Sequence, residues 1–505
     1  MHPRVCLITP PSPFLLDERV FMNLGILRVA AVLEQAGYPV ELLDLSGISN
    51  YLDAVHDHAS HCDTRLFGIT ATTPQLPAAA NISGVIRKNN SNARVILGGP
   101  HVTCVKAAHK GELKRGVSGR AETALKRLLS LFDVLVAGDG ERAIFIAISD
   151  NPPKVIDADD ARSELFVLGE ALSDLPPPAR HLVDIDSYRY TIEGVRAVSL
   201  IAQLGCPFGC GFCGGRLSPT FRRVRMRSID SIIHELTSLY ETYGFRGFMF
   251  YDDELNVNPG MLELMRAITK TARRLGVEFR LRGFVRADLF NDEQANSMYE
   301  AGFRWLLAGH ESGSPRILKN INKKTTREDN TRSIEIARRH GLKVKALMSL
   351  GHPGETELTI RESRDWLLET RPDEFDLTII TVYPGTPYYD SAVPLGNGVW
   401  RYTINGDNLY SLEVDYTKVS DYYKGDPNGG YTSYVYTDEL APTDLVHLRD
   451  VVEHDVRELL QLRFNHSNPA ILYEHSMGQR GRLPGRILRS SDGEQELRRR
   501  TMAAD

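Results

Sequence analysis

SLIAQLGCPFGCGFCGG, residues Ser199–Gly215, decides how this chain is read. An apolar run ends at a glycine, and three cysteines follow as Cys206-x3-Cys210-x2-Cys213. Glycines at 205, 209, 211, 214 and 215 let the backbone curl around the thiols, so the stretch predicts a strand running into a metal-site loop. Half of the six cysteines lie here; Cys6, Cys62 and Cys104 are scattered and read as small buried residues. A structural zinc site takes four ligands, and His181 and His234 lie far off without paired spacing. An iron–sulfur cluster on three thiolates keeps one iron open to substrate or cofactor. Zinc or a purely structural role is the competing reading.

Downstream of the loop, β-rich and helical patterns alternate. Strands are expected at Val198–Leu204, Gly247–Tyr251, Glu278–Phe284, Trp305–His310, Val344–Leu350 and Leu377–Val382, with helical runs between them. Six parallel strands fall short of the eight that close a barrel, so an open, partial (β/α)6 barrel is predicted with its chemistry at the carboxyl rim. Upstream, five short apolar runs at Val5–Thr9, Val40–Leu45, Leu66–Ala71, Arg94–Leu97 and Val134–Ala137 alternate with helices. That pattern predicts a Rossmann-like, doubly wound parallel sheet, which takes ligands outside the carboxyl ends of its strands. Thr72, Gly98, Gly99, His101, Gly138, Gly140 and Glu141 fall at those ends and are candidate cofactor contacts. No G-x-G-x-x-G opens the first helix, which disfavours a nicotinamide or flavin dinucleotide.

The organisation expected is therefore an α/β chain in five parts: a doubly wound domain over 1–150, a proline-containing linker over 151–196, the partial barrel over 197–392, a mixed, tyrosine-rich substrate or capping region over 393–479 and a flexible basic tail over 480–505. Apolar residues are 42% of the chain, charged residues 25% and the net charge is -5, as in a globular protein with no general affinity for nucleic acid or anionic membrane. The start, MHPRVCLITPPSP, is not a signal peptide and no run reaches about 18 apolar residues, so a cytoplasmic location, a small-molecule substrate and no membrane partner are expected.

On the cysteine triad, on Phe212 before its last member and on the polar segments that close the later strands, the chain resembles the radical S-adenosylmethionine (SAM) superfamily. The resemblance implies a [4Fe–4S] cluster on Cys206, Cys210 and Cys213, with SAM on its open iron, reductively cleaved to a 5′-deoxyadenosyl radical. It implies SAM contacts from Asp253 and Glu254 after the second strand, Arg286 after the third, Glu311 and Ser312 after the fourth, and Gly351 and Gly354 after the fifth. The upstream sheet, on Asn23–Leu27, Gly98–His101 and Gly138–Glu141, resembles the cobalamin-binding subclass. The D-x-H-x-x-G motif of methionine-synthase-type cobalamin domains is absent; His101 lacks its flanking residues and reads as a histidine in a rim loop. The activity implied is cobalamin-dependent methylation of an unactivated carbon, fed by a reductant such as flavodoxin or ferredoxin. An oxidative cyclase of the same subclass, and a non-catalytic iron–sulfur or zinc module, are the alternatives.

Overall fold

The computed structural model describes residues 2–12, 18–48, 50–61, 63–422 and 431–462. The expected tail over 480–505 lies outside them, as do Cys62 and Tyr423. Six strands make the first sheet: β1 (Val5–Thr9), β2 (Val40–Asp44), β3 (Leu66–Thr70), β4 (Arg94–Gly98), β5 (Val134–Gly138) and β6 (Val155–Ala158). They are parallel throughout in the order β2-β1-β3-β4-β5-β6. The reversal beside β1 makes this a doubly wound sheet, and each face carries its own apolar layer under helices. The sixth strand, β6, falls in the stretch expected as linker. Its few residues, Val-Ile-Asp-Ala, offer too little apolar periodicity to be read as a strand, and pairing with β5 supplies what local pattern lacks.

A two-residue strand β7 (Thr191–Ile192) turns antiparallel into β8 (Val195–Leu200). The short pair β9 (Gln203–Leu204) and β10 (Arg225–Met226) brackets the cysteine loop. The second large sheet then builds from β8 through β11 (Gly247–Phe250), β12 (Arg280–Val285), β13 (Phe303–Glu311), β14 (Lys343–Leu350) and β15 (Glu374–Ile379). These six strands are parallel, in chain order, and open between β15 and β8. The expected first strand, Val198–Leu204, is split by a carboxylate: the amides of Ala202 and Gln203 donate to Asp252 Oδ1 instead of to a neighbouring strand. β8 therefore stops at Leu200 and the chain turns into the loop.

The C-terminal region is an antiparallel sheet of β16 (Val393–Gly396), β17 (Val399–Ile404), β18 (Asp407–Leu412) and β19 (Val435–Tyr436), followed by a helix over Pro442–Leu460. The helix buries Leu445, Val452 and Val456 in the barrel's core. The helix and the segment before β19 also cover the barrel's open edge: Arg457 Nη2 donates to the carbonyl of Phe375 at 2.8 Å, and the Tyr431 hydroxyl accepts from the amide of Ile379 at 3.1 Å. An edge strand whose backbone groups are met by side chains cannot recruit another strand.

Candidate functional site

The cysteine loop is held by backbone hydrogen bonds from several elements at once. Gly205 sits at φ +88° with its ideal Cβ position 2.2 Å from the carbonyl oxygen of Arg223, a place only glycine can occupy. Its amide donates to Asp253 Oδ2 at 2.7 Å, and the amide of Cys206 donates to the Phe221 carbonyl at 2.9 Å. Further along, the Gly211 amide donates to Ile321 and the Gly211 carbonyl accepts from Tyr388. Desolvation pushes the Cys206 and Cys210 thiols above their ordinary value, and carboxylates of Asp253, Glu254 or Glu311 push further. Such thiols are poor nucleophiles. They become thiolates when a bound cation supplies the missing charge, so the donor set fits metal ligation and not covalent catalysis.

The acidic end of β11 divides its labour. Asp252 and Asp253 hold the backbone of the turn and loop, as above. Glu254 is half-buried, its Oε2 buried and lacking a hydrogen-bond partner, and desolvation raises its carboxyl to about 7. Lys323, Arg286, Asp253 and Glu311 are the charges around it. Lys323 Nζ donates to Glu311 Oε1 at 3.0 Å, and Glu311 itself sits at φ +64°, where β13 bulges at its carboxyl end. A left-handed glutamate is a strained residue. Arg286 is buried, pairs with Asp288 at 2.7 Å and stacks 3.6 Å from the ring of Phe208, inside the cysteine loop. Ser312 bonds to Ser363 on the helix over Glu357–Thr370, and the ideal Cβ positions of Gly351 and Gly354 meet Val435 and Asp407. The structure thus gathers Glu254, Arg286 and Glu311 beside the cysteines. Ser312, Gly351 and Gly354 pack against neighbouring elements instead.

At the rim of the first sheet, the amide and hydroxyl of Thr72 donate to Gln75 Oε1 in a capping box. Gly99 and Gly138 have φ of +99° and +91°, and a Cβ on Gly138 would lie 2.4 Å from Ala158; Gly98 closes β4, and Gly140 starts the next helix. Glu141 faces Arg28 at 3.9 Å. His101 is not in a rim loop. It lies in the first turn of a helix over Pro100–Arg115, 2% exposed, with Nδ1 3.1 Å from the Thr73 hydroxyl, and burial lowers its imidazole to about 4. The proline at the helix start, which reads as a turn signal, is equally a good first helical residue.

This rim meets the cysteine loop directly. Asp139 takes a hydrogen bond from the Val167 amide and pairs with Arg225 of β10 at 2.5 Å, both side chains buried. Asp159 accepts from Ser218 Oγ at 2.6 Å and from the Thr220 amide at 3.0 Å. Cys104 Sγ lies 3.6 Å from the ideal Cβ position of Gly214, and burial pushes its thiol up to about 12. Lys323, Asp139 and Asp159 escaped the sequence reading. Nothing separates Lys323 from Lys324 in a surface-like Asn-Lys-Lys-Thr loop, and Asp159 sits in an acidic run that reads as solvated linker.

A doubly wound sheet whose rim abuts the cysteine loop of an open six-stranded barrel defines an enzyme built around two cofactor modules. Residues 200–367 match the radical SAM superfamily, and residues 18–129 match the B12 binding domain. The chain thus carries a radical SAM domain preceded by a B12-binding domain. It is 27% identical over 398 residues to an uncharacterized methyltransferase of Pyrococcus horikoshii, covering 77% of this chain and 83% of that one. It is 25% identical over 373 residues to the anaerobic magnesium-protoporphyrin IX monomethyl ester cyclase of Cereibacter sphaeroides, covering 67% of this chain and 56% of the cyclase. The structure of the radical SAM methyltransferase TsrM from Kitasatospora setae, solved with cobalamin and a [4Fe–4S] cluster bound, aligns with a TM-score of 0.61 at 18% identity over the whole of both chains. At that identity the likeness shows the fold.

Proposed function

We propose that this chain methylates an unactivated carbon of a small molecule, using a [4Fe–4S] cluster on Cys206, Cys210 and Cys213, SAM and cobalamin. The observation that carries the proposal is the juxtaposition at the cysteine loop. One side is bonded to the acidic end of β11, and the other to the carboxyl rim of the B12-binding sheet through Asp139–Arg225 and Asp159–Ser218. When bound, the cluster supplies the electron for SAM cleavage and cobalamin supplies the methyl group.

The chain's own residues serve that chemistry in separable ways. Glu254, with a buried and unsatisfied oxygen, suits the cationic amino group of SAM. Glu311, held by Lys323, offers a fixed acceptor for a polar group of the same ligand. Thr72, Gly98, Gly99, His101, Gly138, Gly140 and Glu141 belong to the rim that would hold the corrin. Three cysteines without a fourth protein ligand nearby in sequence suit a cluster that keeps one iron open, where a structural zinc would take four ligands. The region from Val393 onward, with its tyrosines, is the part from which substrate contacts are expected, and an external low-potential carrier such as a flavodoxin or ferredoxin is the expected electron source.

The test is anaerobic reconstitution with iron, sulfide and cobalamin, followed by turnover of candidate substrates with methyl-labelled SAM. Label on a substrate carbon together with 5′-deoxyadenosine is expected, and both vanish in Cys210→Ala. The similarity to the tetrapyrrole cyclase favours a second reading, oxidative cyclisation. A product lighter by hydrogens and free of label would select it. Reconstituted protein that binds no corrin would remove the cobalamin assignment, and one that forms no 5′-deoxyadenosine would remove the radical SAM chemistry.

A further inference from the structure

Behind Glu311 a chain of buried side chains runs through the barrel to the cysteine loop. Ser349 Oγ lies 2.8 Å from Glu311 Oε2 and 2.8 Å from His352 Nε2, and His352 Nδ1 lies 3.3 Å from the Tyr388 hydroxyl. Ser349, His352 and Tyr388 are 6%, 0% and 1% exposed.

The proton inventory gives this chain a direction. Glu311, paired through its other oxygen with the buried Lys323 ammonium, is a carboxylate that can only accept. Ser349 therefore donates to it, which leaves Ser349 Oγ to accept from His352 Nε2–H. The imidazole is neutral, because desolvation lowers it to about 4. Its Nδ1 is then bare and accepts from the Tyr388 hydroxyl. Every proton in the series Tyr388→His352→Ser349→Glu311 points toward the carboxylate.

The far end of the series is built into the loop. A Cβ on Gly211 would fall 2.4 Å from the Tyr388 ring, and the Tyr388 amide donates to the Gly211 carbonyl at 3.2 Å. Phe212 meets the His352 ring edge-on at 5.3 Å. The residues flanking Cys210 and Cys213 thus rest on the same two rings that orient Glu311.

We propose that His352 is a positioning residue, the centre of a Tyr388–His352–Ser349 relay that fixes the carboxylate of Glu311 for SAM and ties its position to that of the cysteine loop. The proposal rests on the radical SAM reading of the site. His352 touches no reacting group; it acts through Ser349 and through Phe212.

The experiment pairs His352→Leu, which removes both ring nitrogens, with His352→Gln, whose amide can accept from Tyr388 and donate to Ser349. SAM affinity of the reconstituted proteins is measured by equilibrium dialysis alongside iron content. The expected result is a SAM dissociation constant about tenfold weaker in Ser349→Ala, which loses a hydrogen bond to the charged Glu311, and about fivefold weaker in His352→Leu, where Ser349 keeps that bond but loses its own support, with a return to within about twofold in His352→Gln. A KM for SAM that rises while kcat at saturation holds would accompany it. Equal affinity in wild type and His352→Leu, or no recovery in His352→Gln, overturns the proposal. A second readout needs no cofactor: nitrogen NMR of histidine-labelled apoprotein should show His352 as the Nε2–H tautomer in wild type and not in Ser349→Ala. An Nδ1–H tautomer in wild type overturns the relay whatever SAM does. Failure of wild type to bind SAM, with the tautomer as expected, overturns the functional reading and with it the purpose assigned to the relay.

Discussion

Neighbouring carboxylates at the end of β11 have separate tasks, and a pair of conservative changes separates them. Asp253 holds the Gly205 amide, whereas Glu254 has a buried oxygen without a partner. Asp253→Asn is expected to lower iron loading of the reconstituted protein. Glu254→Gln is expected to load iron normally and bind SAM about tenfold more weakly, read by dialysis, because it replaces an ionic hydrogen bond by a neutral one. His310 supplies a pH test. Its ring is fully buried against Trp366, with Nε2 3.1 Å from Ser333 Oγ and Nδ1 without a hydrogen-bond partner. Desolvation, reinforced by Lys323, lowers its imidazole from 6.5 to about 3. The unfolded chain therefore binds this proton first: its contribution is complete above pH 6.5 and is lost as pH falls toward 3. At pH 5 the loss from this ring amounts to about 2 kcal/mol. His101 and His352, each lowered to about 4, act in the same direction, whereas buried carboxyls raised to about 7, such as Glu254 and Glu355, act in the opposite one. The test is therefore a difference: between pH 7 and 5 the urea midpoint of the apoprotein should change less favourably in wild type than in His310→Gln. An equal change in wild type and variant would show that His310 makes no such contribution.

The cysteine loop is legible at the level of the element because its chemistry is local. The residues that ligate, and the glycines that allow the curl, are neighbours in the chain. Gly205→Ala tests a turn closed against backbone: a methyl group 2.2 Å from the Arg223 carbonyl forces the loop to shift. The expected outcome is a folded protein by far-ultraviolet circular dichroism whose iron content after reconstitution is less than about half of wild type. Normal loading would mean that the turn can relax without moving the thiols. The barrel strands are equally legible, since buried parallel strands are apolar along their length. What escaped depends on partners distant in sequence. The end of β8 is set by Asp252, some fifty positions on, and β6 exists because β5 offers an edge. His101 reads as a loop residue because proline both ends and starts elements. Lys323 is placed by Glu311 across the barrel mouth, and no local pattern announces it.

Across the whole molecule, the two sheets are joined by apolar contacts, with Met22, Leu27, Ala108 and Ala121 buried in the same cluster as the barrel core, and by buried polar contacts beside them. Asp139 and Arg225 form the clearest of the polar ones. Removing one partner of a buried ion pair leaves an uncompensated charge and costs about 3–5 kcal/mol. Asp139→Ala is therefore expected to lower the unfolding temperature of the apoprotein in a single calorimetric transition, because the shared apolar contacts still couple the sheets; two separated transitions would mean that the ion pair carries the coupling. The plug on β15 carries a different consequence, one of timing. Phe375 and Ile379 emerge from the ribosome well before Tyr431 and Arg457, the side chains that satisfy their backbone groups. During that interval the last barrel strand is an unprotected template for any passing chain, so the late C-terminal helix serves the nascent protein as its own chaperone.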